Sequence, residues 1–329
     1  MTMTPQVATR PPVAARGLAP SAPRAQETPR TPGQRRRQVA PYLFLLPYLL
    51  ITAVFFLYPL IYAGILAFYQ TNGPTQKAYV GMSNFSFVVR DPDFHTALKN
   101  TVIFTLCSIC LQLPLSLGLA LLLNAKNDRT KAFFRLAIFA PNLVGQVFVG
   151  ILFSILFTPR YGLFNRFLHE LSGRGLEQVW LQDPRMVMPA IVIASLWMYV
   201  GFNMIYFLAA LQNVDQSLIE AAKIDGAGPG SVFWNVTLPA IAPVATFVVV
   251  TSTIGSFQLF ELPYALLSIT TSPYGPKNSG LTIVGYLYRH AFDDGDLGRG
   301  ASVGWLLTFM ILIVSLIQIR LSARFGRTQ

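Results

Sequence analysis

The chain has 329 residues, of which 53% are hydrophobic and only 12% charged, and its formal net charge is +11. Soluble globular domains carry roughly 25% charged residues. That deficit excludes an ordinary soluble enzyme and places the chain in a membrane.

Residues 1–40 form a separate object. They hold Pro5, Pro11, Pro12, Pro20, Pro23, Pro29 and Pro32 with seven arginines and one acid, too little apolar surface to offset the entropy of ordering, so a disordered tail is expected. Arg35, Arg36 and Arg37 then abut the first apolar run. That run is too long for the apolar region of a cleaved signal, which reads as an uncleaved anchor with a cytoplasmic N-terminus.

Uncharged windows follow at residues 41–69, 101–123, 136–158, 186–211, 236–260 and 301–319. Each is long enough for a helix to cross hydrocarbon, which takes about 18 residues, so six spanning helices are expected. The runs are continuous, not alternating, which excludes a barrel. Lys126, Arg129, Lys131, Arg135, Lys223, Arg320, Arg324 and Arg327 fall on the same side as the tail. Both termini are therefore expected inside. The positive charge faces anionic lipid, and no base-stacking aromatics accompany it to suggest nucleic acid. The outer loops span only residues 70–100, 159–185 and 262–300, with helical patterning over Asp91–Lys99 and Leu163–Leu171.

Catalytic signals are absent from the pattern. Cys107 and Cys110 lie inside an uncharged helical run and read as buried core thiols. His95, His169 and His290 are scattered, and His169-Glu170 lacks the second histidine of a zinc-protease helix. The Asp293, Asp294 and Asp296 cluster lacks the other ligands of a calcium loop and reads as a solvated turn. No phosphate-binding P-loop occurs, so the chain is expected to be a non-enzyme with no cofactor of its own.

The sharpest signal lies between the fourth and fifth helices, in the loop 212–239. It reads Glu220-Ala221-Ala222-Lys223-Ile224-Asp225-Gly226, nine further residues, then Val236-Thr237-Leu238-Pro239. Leu218, Ala221, Ala222 and Asp225 share one helical face, a Gly/Pro break follows, and Phe233 and Trp234 lie on the return segment. Such a helix-turn-helix exceeds what a connector of 2 to 8 residues needs, and its small residues invite close approach by another protein.

This pattern, E-A-A, three residues, G, nine residues, an aliphatic residue, one residue, L-P, resembles the cytoplasmic signature of permease subunits of binding-protein-dependent ABC importers. Val236 stands where Ile is usual. Agreement with the carbohydrate branch extends over residues 41–320: Phe44-Leu45-Leu46-Pro47, Tyr58-Pro59, Val80-Gly81-Met82-Ser83-Asn84-Phe85, Asn100-Thr101, Gly162-Leu163-Phe164-Asn165, Ile224-Asp225-Gly226-Ala227 and Ala301-Ser302. Ser256-Phe257-Gln258-Leu259-Phe260 and the stretch 288–297 look most like the first of the two permeases in maltose, lactose and glycerol-3-phosphate systems.

The resemblance implies an all-α membrane protein of the type I importer permease fold, with a six-helix domain over residues 41–325 in the prokaryotic plasma membrane. It implies a second related permease, two copies of a cytosolic ATPase that bind ATP and Mg, an extracytoplasmic sugar-binding protein and a carbohydrate substrate. The ATPase-docking role falls to Glu220, Ala221, Ala222, Asp225 and Gly226. From polarity alone, Gln112, Asn142, Gln146, Ser195, Asn203, Ser252, Ser256, Gln258 and Glu261 mark helix contacts or a substrate path. The resemblance puts the path near Asn142, Gln146, Ser195, Tyr199, Phe202, Ser252 and Ser256, and Gln258 joins them on the polarity argument. An ion-coupled secondary transporter is the alternative; it needs titratable groups at mid-membrane depth, and Glu261 is the only acid near a run.

Overall fold

In the computed structural model the described residues are 32–73, 76–124, 128–172, 178–270 and 272–325. They divide after Tyr58 into two units. The first holds helix α1 (Pro32–Thr52) and a π-helical turn, Ala53–Leu57. Residues 32–40 are part of this helix. Arg35 to Gln38 are good helix formers, so the helix of the apolar run propagates back to Pro32, where a missing N–H costs nothing. The rest of the expected tail, residues 1–31, lies outside the described residues.

The second unit begins at Pro59 inside α2 (Tyr58–Leu66) and runs through strands β1 (Tyr69–Asn72) and β2 (Gln76–Tyr79), α3 (Ser83–Arg90) and α4 (Pro92–Cys107). A π-turn, Ser108–Gln112, joins α4 to α5 (Leu113–Asn124), followed by α6 (Asp128–Phe139), α7 (Gln146–Leu156), α8 (Leu163–Ser172) and α9 (Val187–Gln212). Then come α10 (Gln216–Ile224), α11 (Pro229–Val232), α12 (Leu238–Phe257), α13 (Glu261–Leu267), α14 (Ile283–Tyr288) and α15 (Leu297–Phe325). The antiparallel pair β1–β2, in register Tyr69 with Tyr79, is the one sheet among the described residues and was not foreseen.

Five helical stretches are long and apolar enough to cross a membrane: Tyr42–Leu66, Pro92–Asn124, Val187–Gln212, Pro229–Phe257 and Leu297–Ser322. The sixth expected span is not one straight helix. Lys131–Leu143 and Gln146–Leu156 meet at a 96° bend, and only together do they make six. Pro141 removes an N–H and tightens the chain into a 3₁₀ turn at Ala140–Leu143, after which Val144 and Gly145 are extended. The expected helices of the outer loops form as α4, capped by the Asp91 carboxylate on the Asp93 N–H at 2.9 Å, and as α8.

Between α12 and α15 the chain folds into α13, α14 and a π-turn, and a polar network ties this segment to α4. Tyr286 donates to Asp91 at 2.6 Å, Tyr274 donates to Asp293 at 2.6 Å, and Arg289 meets Asp93 at 2.8 Å. Burial and the Asp91 bond push the Tyr286 phenol well above its usual pKa. His290 is buried with Asp294 at 2.7 Å; burial holds the imidazole below its usual value against the pull of that carboxylate. Of the aspartate cluster, Asp293 and Asp294 are exposed, as a solvated turn requires, and only Asp296 departs from that expectation. Asp296 is buried and caps α15 through the Arg299 N–H at 3.0 Å while accepting from the Thr71 N–H of β1 at 3.2 Å. Cys110 also departs from expectation, since it is exposed on the helix surface.

Several residues that carry the family resemblance resolve into such ties. Asn84 donates to the Ala67 and Tyr69 carbonyls at 3.0 and 2.9 Å, and Asn100 donates to those of Asn278 and Leu281 at 2.9 and 3.0 Å. Thr101 accepts from the Ile283 N–H at 3.1 Å, while Asn165 bridges the Gln178 carbonyl and the Trp180 indole. In a membrane such bonds satisfy polar groups that lipid could not.

Candidate functional site

Two features stand out, a polar cavity among the helices and the α10 loop. The cavity has a volume of about 360 Å³, within the range of small-ligand pockets. Each wall owes its position to a local irregularity or a helical repeat. Phe104, Ser108 and Gln112 come from α4 and its π-turn, Asn142 and Gln146 from the break before α7, and Tyr199, Phe202 and Asn203 from α9. Thr251, Ser252, Gly255, Ser256, Gln258 and Leu259 come from the end of α12 and the residues just beyond it.

Of the substrate-path residues expected from the sequence, Asn142, Gln146, Tyr199, Phe202, Ser252, Ser256 and Gln258 line this one cavity. Ser195 does not. It is 2% exposed and donates to the Val192 carbonyl at 2.8 Å, one turn back on α9, because its position puts it against the helix bundle. Glu261 opens α13 and lies outside the lining. Gln112 and Asn203, marked by polarity but not carried over from the resemblance, both line the cavity, and Phe104, Ser108 and Thr251 were missed. The i, i+4 pair Ser108 and Gln112 in an uncharged window was the available signal.

The cavity joins hydrogen-bonding and aromatic groups. Amides of Asn142, Gln146, Asn203 and Gln258 offer donors and acceptors. Phe202 stacks edge-on with Tyr206 at 5.2 Å, which fixes its ring. A Cβ built at Gly255 meets nothing within 4 Å, so this glycine opens onto space and is not a helix contact.

The second feature is α10. Asp215 caps it, accepting from the Ser217 N–H at 2.9 Å, a bond that holds its carboxyl below the usual range. Gly226 ends it in the left-handed region at φ +83°. Its N–H donates to the Lys223 carbonyl at 3.1 Å and that of Ala227 to Ala222 at 2.9 Å, a Schellman closure that favours glycine. Ile219 and Leu238 pack on the bundle core, whereas Glu220, Ala221, Asp225 and Gly226 are exposed and Ala222 is half-buried. Beside them Leu218, Ile224 and Trp234 are 54%, 86% and 66% exposed. Gly226→Val should cost about 1 kcal/mol through backbone strain alone, since no atom lies near its Cβ position. A thermal melt of the purified chain would show a small drop in Tm, and an unchanged Tm would contradict the closure.

Residues 112–328 match the family described as the binding-protein-dependent transport system inner membrane component. The arabinooligosaccharides transport system permease protein AraP of Bacillus subtilis (strain 168) is 39% identical over 290 residues, covering 88% of this chain and 90% of that protein. The lactose transport system permease protein LacF of Rhizobium radiobacter is 36% identical over 292 residues, covering 88% and 96%. A crystal structure of a bacterial alginate ABC transporter, in complex with an alginate pentasaccharide-bound periplasmic protein, superposes with a TM-score of 0.78 at 22% identity, covering 89% of this chain and 97% of that one. At that identity the likeness concerns the fold. Matched over more than half its length by the family and over most of its length by the two relatives, the chain belongs to the inner membrane components of binding-protein-dependent transport systems, the permease subunits of ABC importers.

Proposed function

We propose that this permease forms half of the translocation pathway of an ATP-driven carbohydrate importer, with the polar cavity as its substrate site and the α10 loop as its ATPase-docking element. The observation that carries the reading is the convergence of amides, hydroxyls and an aromatic face on one cavity between four membrane helices. Sugar hydroxyls need such partners, and lipid-facing surfaces do not supply them. The relatives' names, arabinooligosaccharide and lactose permeases, point to the same class.

In this reading Glu220, Ala221, Ala222, Asp225 and Gly226 face the cytosol and seat a P-loop ATPase, which binds ATP and Mg. The exposed apolar side chains Leu218, Ile224 and Trp234 are buried by that subunit. A second permease completes the pathway, and an extracytoplasmic sugar-binding protein delivers the substrate to the opposite face. Both termini lie inside. Ion coupling finds no support: among the described residues no carboxylate, histidine, lysine or arginine lines the cavity, and the family works with a binding protein.

The assembly is tested by purifying the chain from its native membrane through an affinity tag. A P-loop ATPase and a second permease should co-elute; a chain that elutes alone from gently solubilised membranes would contradict the reading. The cavity is tested by Gly255→Leu, which puts bulk into the cavity from a position where a Cβ meets nothing within 4 Å. Uptake should fall at least tenfold while assembly and ATPase binding survive. Unchanged uptake in an intact complex would remove this cavity from the path.

A further inference from the structure

Every side chain lining the cavity, among the described residues, is uncharged. The chain does place charges in other polar recesses. Lys77, Asp294, Asp296 and Arg299 line a pocket of about 440 Å³ beside the β-hairpin, and their charges balance. In the cavity, by contrast, the polar groups are amides and hydroxyls only. The start of α7 at Gln146 adds at most about half a positive charge. A carboxylate or phosphate entering here would leave water and find no cation, which disfavours it by on the order of a hundredfold or more relative to a neutral analogue.

The π-turn adds a specific contact. Gln112 is 4% exposed and Ser108 5% exposed, yet both line the cavity. The Ser108 hydroxyl donates to Gln112 Oε1 at 3.0 Å, which orients the amide. A neighbouring tie fixes the backbone, since Ser116 donates to the Gln112 carbonyl at 2.7 Å and to that of Val200 on α9 at 2.9 Å. Insertions of this kind, one residue wide, re-aim side chains inside a helix and are frequent at functional sites. A buried, oriented amide facing a cavity is costly unless a ligand or water uses it.

We propose that the cavity is a site for uncharged saccharides, with Gln112 on the π-turn as a substrate-contacting residue that favours neutral hydroxyls over acidic groups. This rests on the carbohydrate reading and narrows it. The second permease supplies other contacts; the uncharged wall described here is this chain's contribution.

The test is saturation-transfer difference NMR on the complete permease–ATPase complex in nanodiscs, without binding protein. The probes are maltotriose, raffinose and xylotriose against trigalacturonate and glucose 6-phosphate. At least one neutral probe should give a signal at least tenfold above either acidic probe, and Gln112→Leu should remove it while the complex still co-purifies. An acidic probe matching the neutral ones would overturn the proposal and leave the carbohydrate reading standing. A neutral signal unchanged in Gln112→Leu would overturn the role of Gln112. Should that variant fail to assemble, the wild-type comparison of neutral and acidic probes still decides the charge preference. Silence from every probe would count against both the proposal and the carbohydrate reading.

Discussion

Glu220→Lys is expected to abolish transport while leaving the permease folded and inserted. Glu220 is exposed on α10, so the reversed charge disturbs nothing within this chain. Its effect arises only when a partner covers the helix. In a cleft that excludes water, an uncompensated charge costs about 3 to 5 kcal/mol, enough to weaken coupling by roughly two to four orders of magnitude. Expression and thermal stability of the purified chain should match the unmodified protein, whereas ATPase co-purification and uptake should both collapse. Normal uptake by this variant would sink the docking assignment, whatever the cavity does.

Gly201→Ala is expected to have the opposite signature, damaging the fold before any partner is involved. Gly201 is buried on α9, where a Cβ would stand 1.9 Å from the Ile138 carbonyl oxygen and 2.6 Å from its carbon. Those are backbone atoms of α6, so relief requires the bent α6–α7 pair to move away from α9. Small residues at such crossings let membrane helices pack closely. The cost should reach or exceed about 3 kcal/mol, the upper end usual for overpacking. Asn142 and Gln146 would shift with the pair, so the cavity opens with it. Gly118→Ala provides the control, because a Cβ there meets nothing within 4 Å and helix propensity improves by about 1 kcal/mol. Size-exclusion profiles in detergent should show Gly201→Ala dispersed and Gly118→Ala intact; equal profiles would contradict the close approach of α6 and α9.

The spans were legible because hydrocarbon demands uncharged helical runs, and five of the six windows correspond to single helical stretches. The sixth failed as a straight helix for a local reason. Hydropathy averages over Pro141 and Gly145, while the backbone does not, and it turns by 96° there. The same break carries Asn142 and Gln146 into the cavity, so an irregularity invisible to hydropathy builds part of the site. The hairpin was hidden for a related reason: Tyr69–Asn72 lies at the end of an apolar run, and its anchor, Asp296, is 225 residues away.

Within the candidate site, landmarks in the sequence led to six cavity-lining residues, polarity added Gln258, and Ser195 lies outside the lining. A single helix face explains the position of Ser195. Ser195 and Tyr199 are four residues apart on α9, yet only Tyr199 lines the cavity, since the helix end bearing Ser195 packs into the core with Ile191, Val192 and Met198. Polarity alone marked Gln112 and Asn203, but nothing in the pattern showed that a π-turn would aim Gln112 inward. The short helix α10 and the glycine break after it were legible because their grammar is local: small residues on one face and a glycine at φ +83°.

In the proposed mechanism sugar crosses through this chain at the expense of ATP. The most direct measurement is uptake of radiolabelled saccharides into proteoliposomes holding the permease pair and ATPase, with binding protein outside and ATP with Mg inside. Uptake should require ATP, the binding protein and an unmodified Glu220, and should be indifferent to a proton or sodium gradient. Saccharide accumulation driven by an ion gradient without ATP, or the absence of any saccharide accumulation in the complete system, would contradict it.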